Sequence, residues 1–451
     1  MFLRVTSIFY SLHAHVILRA KVPNDRYNRL MLASLPLDGI RILDLTWIIA
    51  GPVCTRILGD FGADVIKIEH EQAVDPIRMG RPIIGDRPTL NNSGFFNYIN
   101  RNKRSILLNI RHPEGSEIFS QLVTESDVII ENFSSGVLES WGFGYDHLRE
   151  LREDIIYCSV SGFGHSGPDN HYTTWGPTAQ ALSGQTIMSG LPDAPPAGWG
   201  FSFMDHTAGY SAAIAILMAL YHRDLVGDGQ YIDLSQVEAG SVLTGSAVLD
   251  YTVNNRAWKR MGFPPGNHAW EPQVAPHNTY RTLERNGDDD QWIAIACLSD
   301  AEWESFVRVL RLSDDLSNEW IDDSAFSTNE SRLRHQESLD RNIEKWTRAR
   351  DGYELMTLLQ AAGIKAAVCQ KPGDRVETDP QLDFREWWQT VYHPELGQST
   401  YDGVAPLLQL TPGSVRKASP MFGEHTDEVM QEVLGLSSHQ IADLRAKGVF
   451  M

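Results

Sequence analysis

From Pro36 to Val160 the sequence alternates short apolar runs with helical stretches of roughly ten residues. The runs are Arg41–Leu45, Asp64–Ile68, Ser105–Ile110, Asp127–Ile130 and Ile155–Val160. Helical patterns over Val53–Phe61, Pro113–Thr124 and Tyr145–Glu153 lie among them. Apolar strands separated by helices of this length form βαβ units and pair in parallel. The pattern therefore predicts an α/β fold with a doubly wound, Rossmann-like sheet. Ligands of such sheets bind beyond the carboxyl ends of the strands.

The later part of the chain continues in kind and then changes. Asp205–Arg223 reads as a long helix, Tyr231–Leu234 as a strand and Ser235–Val253 as one helix. Residues 254–278 are rich in Pro, Gly, His and Asn and read as a long loop. Beyond it come a strand at Gln291–Ala296, a helix at Asp300–Leu310 and a charged helical stretch over Arg332–Ala362. The expected division is a large domain over 36–245, a smaller α+β domain over 250–375, and a return to the large domain over 376–451. Residues 1–35 stand apart, with Arg4, Arg19, Lys21, Arg26 and Arg29 against one acid, Asp25. They fit a disordered extension, an early start ahead of Met31, or a weak organelle-targeting peptide. The rest reads as a cytoplasmic protein.

Charge and composition narrow the classes of function. Acidic residues outnumber basic ones, 58 to 39, for a net charge of −19. Sequence-independent nucleic-acid binding depends on Lys and Arg, so no nucleic-acid partner is expected. The longest nearly apolar run, Ala212–Tyr221, is about half of what a bilayer needs, so no membrane span is expected. Cys54, Cys158, Cys297 and Cys369 are far apart and match no metal-site spacing, so no metal is expected.

The first strand–turn–helix invites a dinucleotide, but its turn, Ile49–Cys54, lacks G-x-G-x-x-G. Pro52 suits a first helical position better than a pyrophosphate turn. Asn102-Lys-Arg104 is a compact basic element, either a solvated strand entry or a diphosphate contact. Gly162-Phe-Gly-His-Ser-Gly-Pro168 follows the fifth strand and permits close backbone approach to a ligand. Asp205 opens an apolar helix after the Gly/Pro-rich run 195–200. It suits an N-cap and equally a carboxylate nucleophile at a helix end.

Taken in order, several segments resemble the class III CoA-transferases (the CaiB/BaiF type), the family of formyl-CoA transferase and carnitine CoA-transferase. They are Pro36-Leu-Asp-Gly-Ile-Arg-Ile-Leu-Asp44, Ala50-Gly-Pro52, Gly62-Ala-Asp-Val-Ile-Lys-Ile-Glu69, Asn102-Lys-Arg-Ser105, Glu131-Asn-Phe133, Gly162-Phe-Gly164 and Gly227-Asp-Gly-Gln230. Ala362-Gly-Ile364, Asp379-Pro-Gln-Leu382 and Gly423-Glu-His-Thr-Asp-Glu-Val429 complete the set. The resemblance covers about nine tenths of the chain. It implies an interlocked homodimer, acyl-CoA and carboxylic acid substrates, and no permanently bound cofactor, with the CoA thioester itself as substrate. It places the family's catalytic aspartate on Asp205.

The same resemblance implies CoA contacts at Ile49 and Ala50, at Leu108 to Arg111, at Asn132 and Phe133, and at Tyr172 to Trp175. Arg111 takes the place of a lysine, and His70 the place of an arginine on the nucleotide. Ser140 and Thr173 replace basic residues, which leaves Arg101, Lys103 and Arg104 as candidates for a rebuilt phosphate grip. The expected route runs through an aspartyl anhydride and an aspartyl-CoA thioester, two steps in place of one difficult exchange. Pro264-Pro-Gly-Asn-His268 is the candidate loop for shielding them from water. An α-methylacyl-CoA racemase-like enzyme is an alternative, but Trp175 stands where racemases carry a histidine, and an indole cannot accept a proton. A non-catalytic CoA-binding protein is another. His206 reads as structural or supporting. Trp175, Trp199, Phe201 and Phe203 indicate either helix packing or a bulky or cationic acyl chain.

Overall fold

A computed structural model describes residues 35–256, 265–312 and 316–451. The expectations for residues 1–34 and for Pro264 lie outside the described residues. By compactness the chain divides into two units. One holds the residues up to Ser159, Gly209–Ile232 and Gln389–Met451; the other holds Val160–Ala208 and Asp233–Trp388. The second unit thus takes in Val160–Ala208, which the expected limits of 250–375 leave out.

The first unit is built on strands β1 (Arg41–Asp44), β2 (Asp64–Glu69), β3 (Lys103–Leu107), β4 (Val128–Glu131), β5 (Ile156–Ser161) and β6 (Tyr231–Ser235). The sheet order is β3-β2-β1-β4-β5-β6, and β1/β2, β2/β3, β1/β4 and β4/β5 are parallel. This is the doubly wound α/β architecture expected, with its order reversing between β1 and β4. Helix α1 (Ala50–Asp60) follows β1, and α2 (Pro113–Thr124) crosses from β3 to β4. Buried strand residues such as Ile66, Ile106 and Ile129 pack with Phe119 and Leu122 of α2. Val429, Met430 and Phe450 of the C-terminal segment join the same core.

The second unit has antiparallel strands β7 (His277–Arg281), β8 (Trp292–Ala296) and β9 (Lys365–Val368). Tyr280, Ile293, Ile295 and Ala366 face a core shared with Phe306, Ile343 and Trp346. This unit also holds the short helix α3 (Gly176–Leu182).

Helix α4 (Phe203–Val226) is longer than the expected Asp205–Arg223. Its 24 residues have a mean hydropathy of 1.2 over the most apolar 18-residue window, enough by length and composition to cross a membrane. The expectation of no such segment counted only uninterrupted apolar residues and missed this. Half of that window is buried inside the protein, as in core helices of soluble proteins. The helix expected over Ser235–Val253 is three pieces: Gln236–Ser241 (α5), a 3-10 turn at Val242–Thr244, and Gly245–Asn254. Gly240 and Gly245 weaken a continuous helix there.

Candidate active site

At the carboxyl ends of β1, β2, β3 and β4 the first unit opens into a groove of about 600 Å³. Its walls bring together six of the residues expected from sequence: His70, the four from Leu108 to Arg111, and Phe133. Two tryptophans that sequence reasoning missed complete an aromatic side. Phe133 lies edge-on to Trp47 at 5.7 Å and tilted against Trp141 at 5.4 Å.

The groove's loops are held by buried polar groups. Asn132 clamps Trp47 at both ends, accepting its backbone N–H at 2.7 Å and donating to its carbonyl at 2.9 Å. Glu131 accepts the Phe133 N–H at 2.6 Å and the Tyr157 hydroxyl at 3.2 Å. Ile48 adopts a φ of 64°, a conformation that β-branched residues rarely take. Its N–H is tied to Asp75 at 3.1 Å. Lys67 donates to the Thr46 carbonyl at 2.5 Å, and Asp44 accepts from the Thr46 backbone at 2.9 Å. Burial works to raise the Asp44 carboxyl, but Lys103 and Lys67 beside it prevail and bring it down to about 2.

Polarity in the groove is divided. Burial pushes the His70 imidazole below its ordinary value, and the Arg111 charge adds to that. Glu71 and the Asn109 side chain pull the other way. Ile49 and Ala50 are each 3% exposed. Ile49 packs with Val53, Ile77 and Phe96, and neither Ile49 nor Ala50 lines the groove. Tyr172 and Trp175 belong to the second unit and do not line this groove.

Asp205 stands in the second unit, in the first turn of α4 rather than at its N-cap. Its Oδ1 accepts from the Gln236 side-chain amide at 2.9 Å. Its Oδ2 rests against Gly176: a Cβ there would lie 2.4 Å from it. Burial raises the Asp205 carboxyl above its usual range, while hydrogen bonds from Gln236 and Ser202 and the nearby His206 pull the other way. The His206 ring does not bond to Asp205; its Nδ1 lies 3.2 Å from the Ser202 carbonyl. The aromatic residues around Asp205 divide. Trp199, itself half exposed, packs edge-on to Phe203 at 4.6 Å and donates to Ser189, whereas Trp175 and Phe201 are more exposed still.

The sequence model of CoA-transferase family III matches residues 37–426. The chain belongs to CoA-transferase family III. It is an acyl-CoA:carboxylate CoA-transferase. Among its relatives, the succinyl-CoA–L-malate CoA-transferase beta subunit of Chloroflexus aurantiacus is 33% identical over 420 residues, spanning 92% of this chain and 98% of that protein. The succinyl-CoA–D-citramalate CoA-transferase of the same organism is 34% identical over 415 residues, with the same coverage. A crystal structure of a CaiB/BaiF family protein from Brucella suis superposes with a TM-score of 0.78 at 30% identity, covering 89% of this chain and all of that one.

One expectation for this CoA-transferase needs correction. Arg101, Lys103 and Arg104, the candidates for a phosphate grip, are held by carboxylates of the chain and do not line the groove. Arg101 is 1% exposed and binds Asp60 at 2.8 Å and Asp402 at 2.6 Å. Lys103 binds Asp44 at 3.0 Å; burial pushes its ammonium down to about 8, with Asp44 opposing. Arg104 reaches Asp64 at 2.5 Å and Glu432 at 2.8 Å. Arg111, by contrast, makes no ion pair with a carboxylate among the described residues. Gln236 and Gly176 were also missed. Nothing in the local pattern marks either one, since each matters only through its contact with Asp205.

Proposed function

We propose that this chain moves CoA from an acyl-CoA donor to a four- or five-carbon dicarboxylic acid through covalent intermediates on Asp205. An Asp205 oxygen attacks the thioester carbonyl, the C–S bond breaks, and CoA thiolate leaves a mixed anhydride. The thiolate then attacks the aspartyl carbonyl. The donor acid departs as a carboxylate with the bridging oxygen, and an aspartyl-CoA thioester remains. The acceptor carboxylate repeats these steps in reverse, supplies the new aspartyl oxygen and leaves as its CoA thioester. Atoms balance without an oxidant, reductant or metal.

The observation that carries this reading is the Asp205 carboxylate itself. One oxygen is held by Gln236, the other lies against a residue without a side chain, and burial partly desolvates it. A partly desolvated carboxylate is a better nucleophile than a hydrated one. The acceptor class is drawn from the malate and citramalate named for two relatives. In the groove, His70, the Arg111 cation and the Trp47–Phe133–Trp141 wall suit a nucleotide with phosphates.

Acyl-CoA followed by hydroxylamine or borohydride should leave a label on Asp205, located by peptide mass spectrometry. A label elsewhere, or full transferase activity in Asp205→Ala, refutes the reading. The working unit we propose is a homodimer. Tyr210, Ile214, Leu217, Met218, Tyr221 and Leu225 form one exposed stripe of α4, at the spacing of a face that packs on protein. A monomeric mass in solution would count against it.

A further inference from the structure

The glycines of residues 162–168 permit close approach, and the approaches they make are to their own chain. Asp233 of β6 accepts the His165 N–H at 2.7 Å and the Ser166 hydroxyl at 3.1 Å, which fixes this loop to the end of the strand. The Gly162 carbonyl accepts the Val237 N–H at 3.0 Å and the Ser235 hydroxyl at 3.2 Å. Those two donors flank Gln236, the first residue of α5, whose side-chain amide holds Asp205 Oδ1. On its other side Gly162 lies against Thr174: a Cβ on Gly162 would stand 1.8 Å from Thr174 Cγ2. Thr174 is two residues before Gly176, on which Asp205 Oδ2 rests.

Gly162 thus touches both segments that grip the carboxylate. Its φ is not in the left-handed region, so the contact with Thr174, rather than a turn, is what requires a residue without a side chain. Thr174 is β-branched and stiff. Its Cβ and Oγ1 also lie 3.0 Å from the same point, so turning the side chain does not clear the contact. Its hydroxyl donates to the Trp175 carbonyl at 3.0 Å, which ties it to the residue before Gly176. Reacting groups keep their geometry only when the residues behind them are themselves locked by packing and hydrogen bonds. Gly162 supplies both kinds of support, a carbonyl on the Gln236 side and a close contact on the Gly176 side.

We propose that Gly162 is a positioning residue for CoA transfer, setting Gln236 and Gly176 against the two oxygens of Asp205. This rests on the reading of Asp205 as nucleophile. Gly162 itself touches no reacting atom, and its effect passes through Ser235 and Val237 on one side and Thr174 on the other.

The test follows the rate at which succinyl-CoA and hydroxylamine label Asp205, per folded molecule, by peptide mass spectrometry. In Gly162→Ala the new methyl and Thr174 must part by about 1.6 Å to reach ordinary contact at 3.4 Å. Labelling should slow about 100-fold, the usual cost of a shift near 1 Å at a reacting group. Adding Thr174→Ser, which removes Cγ2 and keeps the hydroxyl, should restore at least about tenfold of that loss. A Gly162→Ala protein that labels at more than half the wild-type rate overturns the proposal, as does a double variant no faster than Gly162→Ala alone. Ser235→Ala adds no volume and carries the test if Gly162→Ala does not fold. By loosening Gln236 it should move the acid limb of the labelling rate to higher pH, and it should move the limb no further in a protein that already has Gln236→Leu. An unmoved limb, or shifts that add, overturn the link to Gln236 and the proposal with it. A wild type with no label on Asp205 overturns the nucleophile, whereas wild-type labelling that survives Gly162→Ala overturns the positioning role alone.

Discussion

Gly176→Ala is the smallest change that should disable this enzyme. The added Cβ would stand 2.4 Å from Asp205 Oδ2 and 3.0 Å from its carboxyl carbon, where ordinary contact begins at 3.4 Å. The carboxylate must retreat by about 1 Å, and displacements of that size at a reacting group cost on the order of 100-fold. That corresponds to about 2.7 kcal/mol of activation free energy. Folding should be little affected. Gly→Ala in a helix usually gains about 0.4–1 kcal/mol. Pro177 takes some of this back, because a residue with a Cβ before proline is disfavoured in helical conformation. The assay is kcat/KM for acyl-CoA and acceptor, with Tm and CoA affinity measured in parallel. Both rates should fall about 100-fold, while Tm and CoA affinity hold. A variant with wild-type Tm that keeps more than half its activity would refute the placing of the reacting carboxylate against Gly176. A large fall in Tm would put the strain in the backbone of α3 instead.

Gln236→Leu removes the donor that favours the charged form of Asp205, whose carboxyl burial already pushes upward. The nucleophile is the carboxylate, so activity is lost as pH falls through its pKa. The acid limb of kcat/KM should therefore move to higher pH in the variant, and an unmoved limb would show that the bond does not tune the nucleophile. Arg111→Ala should raise KM for acyl-CoA about tenfold or more with kcat nearly unchanged, by loss of a charge-assisted phosphate contact. That difference should shrink in high salt; equal CoA affinities at low salt would remove Arg111 from the site. Arg104→Gln should lower unfolding free energy by about 1–3 kcal/mol in urea titrations and leave CoA affinity unchanged. Weaker CoA binding without loss of stability would restore its role as a phosphate ligand.

How far the sequence could be read depended on how local each signal was. The order of strands and crossovers was open to reading because parallel strands buried on both faces are continuous apolar runs, as in Asp127-Val-Ile-Ile130. The third strand begins at Lys103, not Ser105, because charged side chains there are buried on partners and do not mark an end. The hairpin of Trp388–His393 and Gly397–Asp402 escaped notice, since its short strands have polar residues on most exposed positions. Asp205 could be singled out because a helix start after a Gly/Pro-rich run is a local signal. Gln236 lies 31 residues away from it, and no periodicity links the two.

The misreading of Asn102-Lys-Arg104 follows from the same physics, and it bears on any strongly acidic chain. A compact basic element reads as an anion site only if its charges remain available. With 58 acids against 39 bases, a base that folding draws inward finds a carboxylate of its own chain more readily than a ligand. The partners here come from far along the sequence: Asp60 is 41 residues from Arg101, Asp402 is 301, and Glu432 is 328 from Arg104. Burying a guanidinium without such partners would cost several kcal/mol, so the carboxylates are the condition of its burial. The basic residue to look for in an acidic chain is the one left exposed on a loop at the end of a parallel strand. Arg111 occupies that position, in the groove wall between Ile110 and His112. If the net acidity has consumed the other bases in this way, CoA binding should depend far more on Arg111 than on the three buried bases together. The Arg111→Ala and Arg104→Gln pair measures that contrast directly.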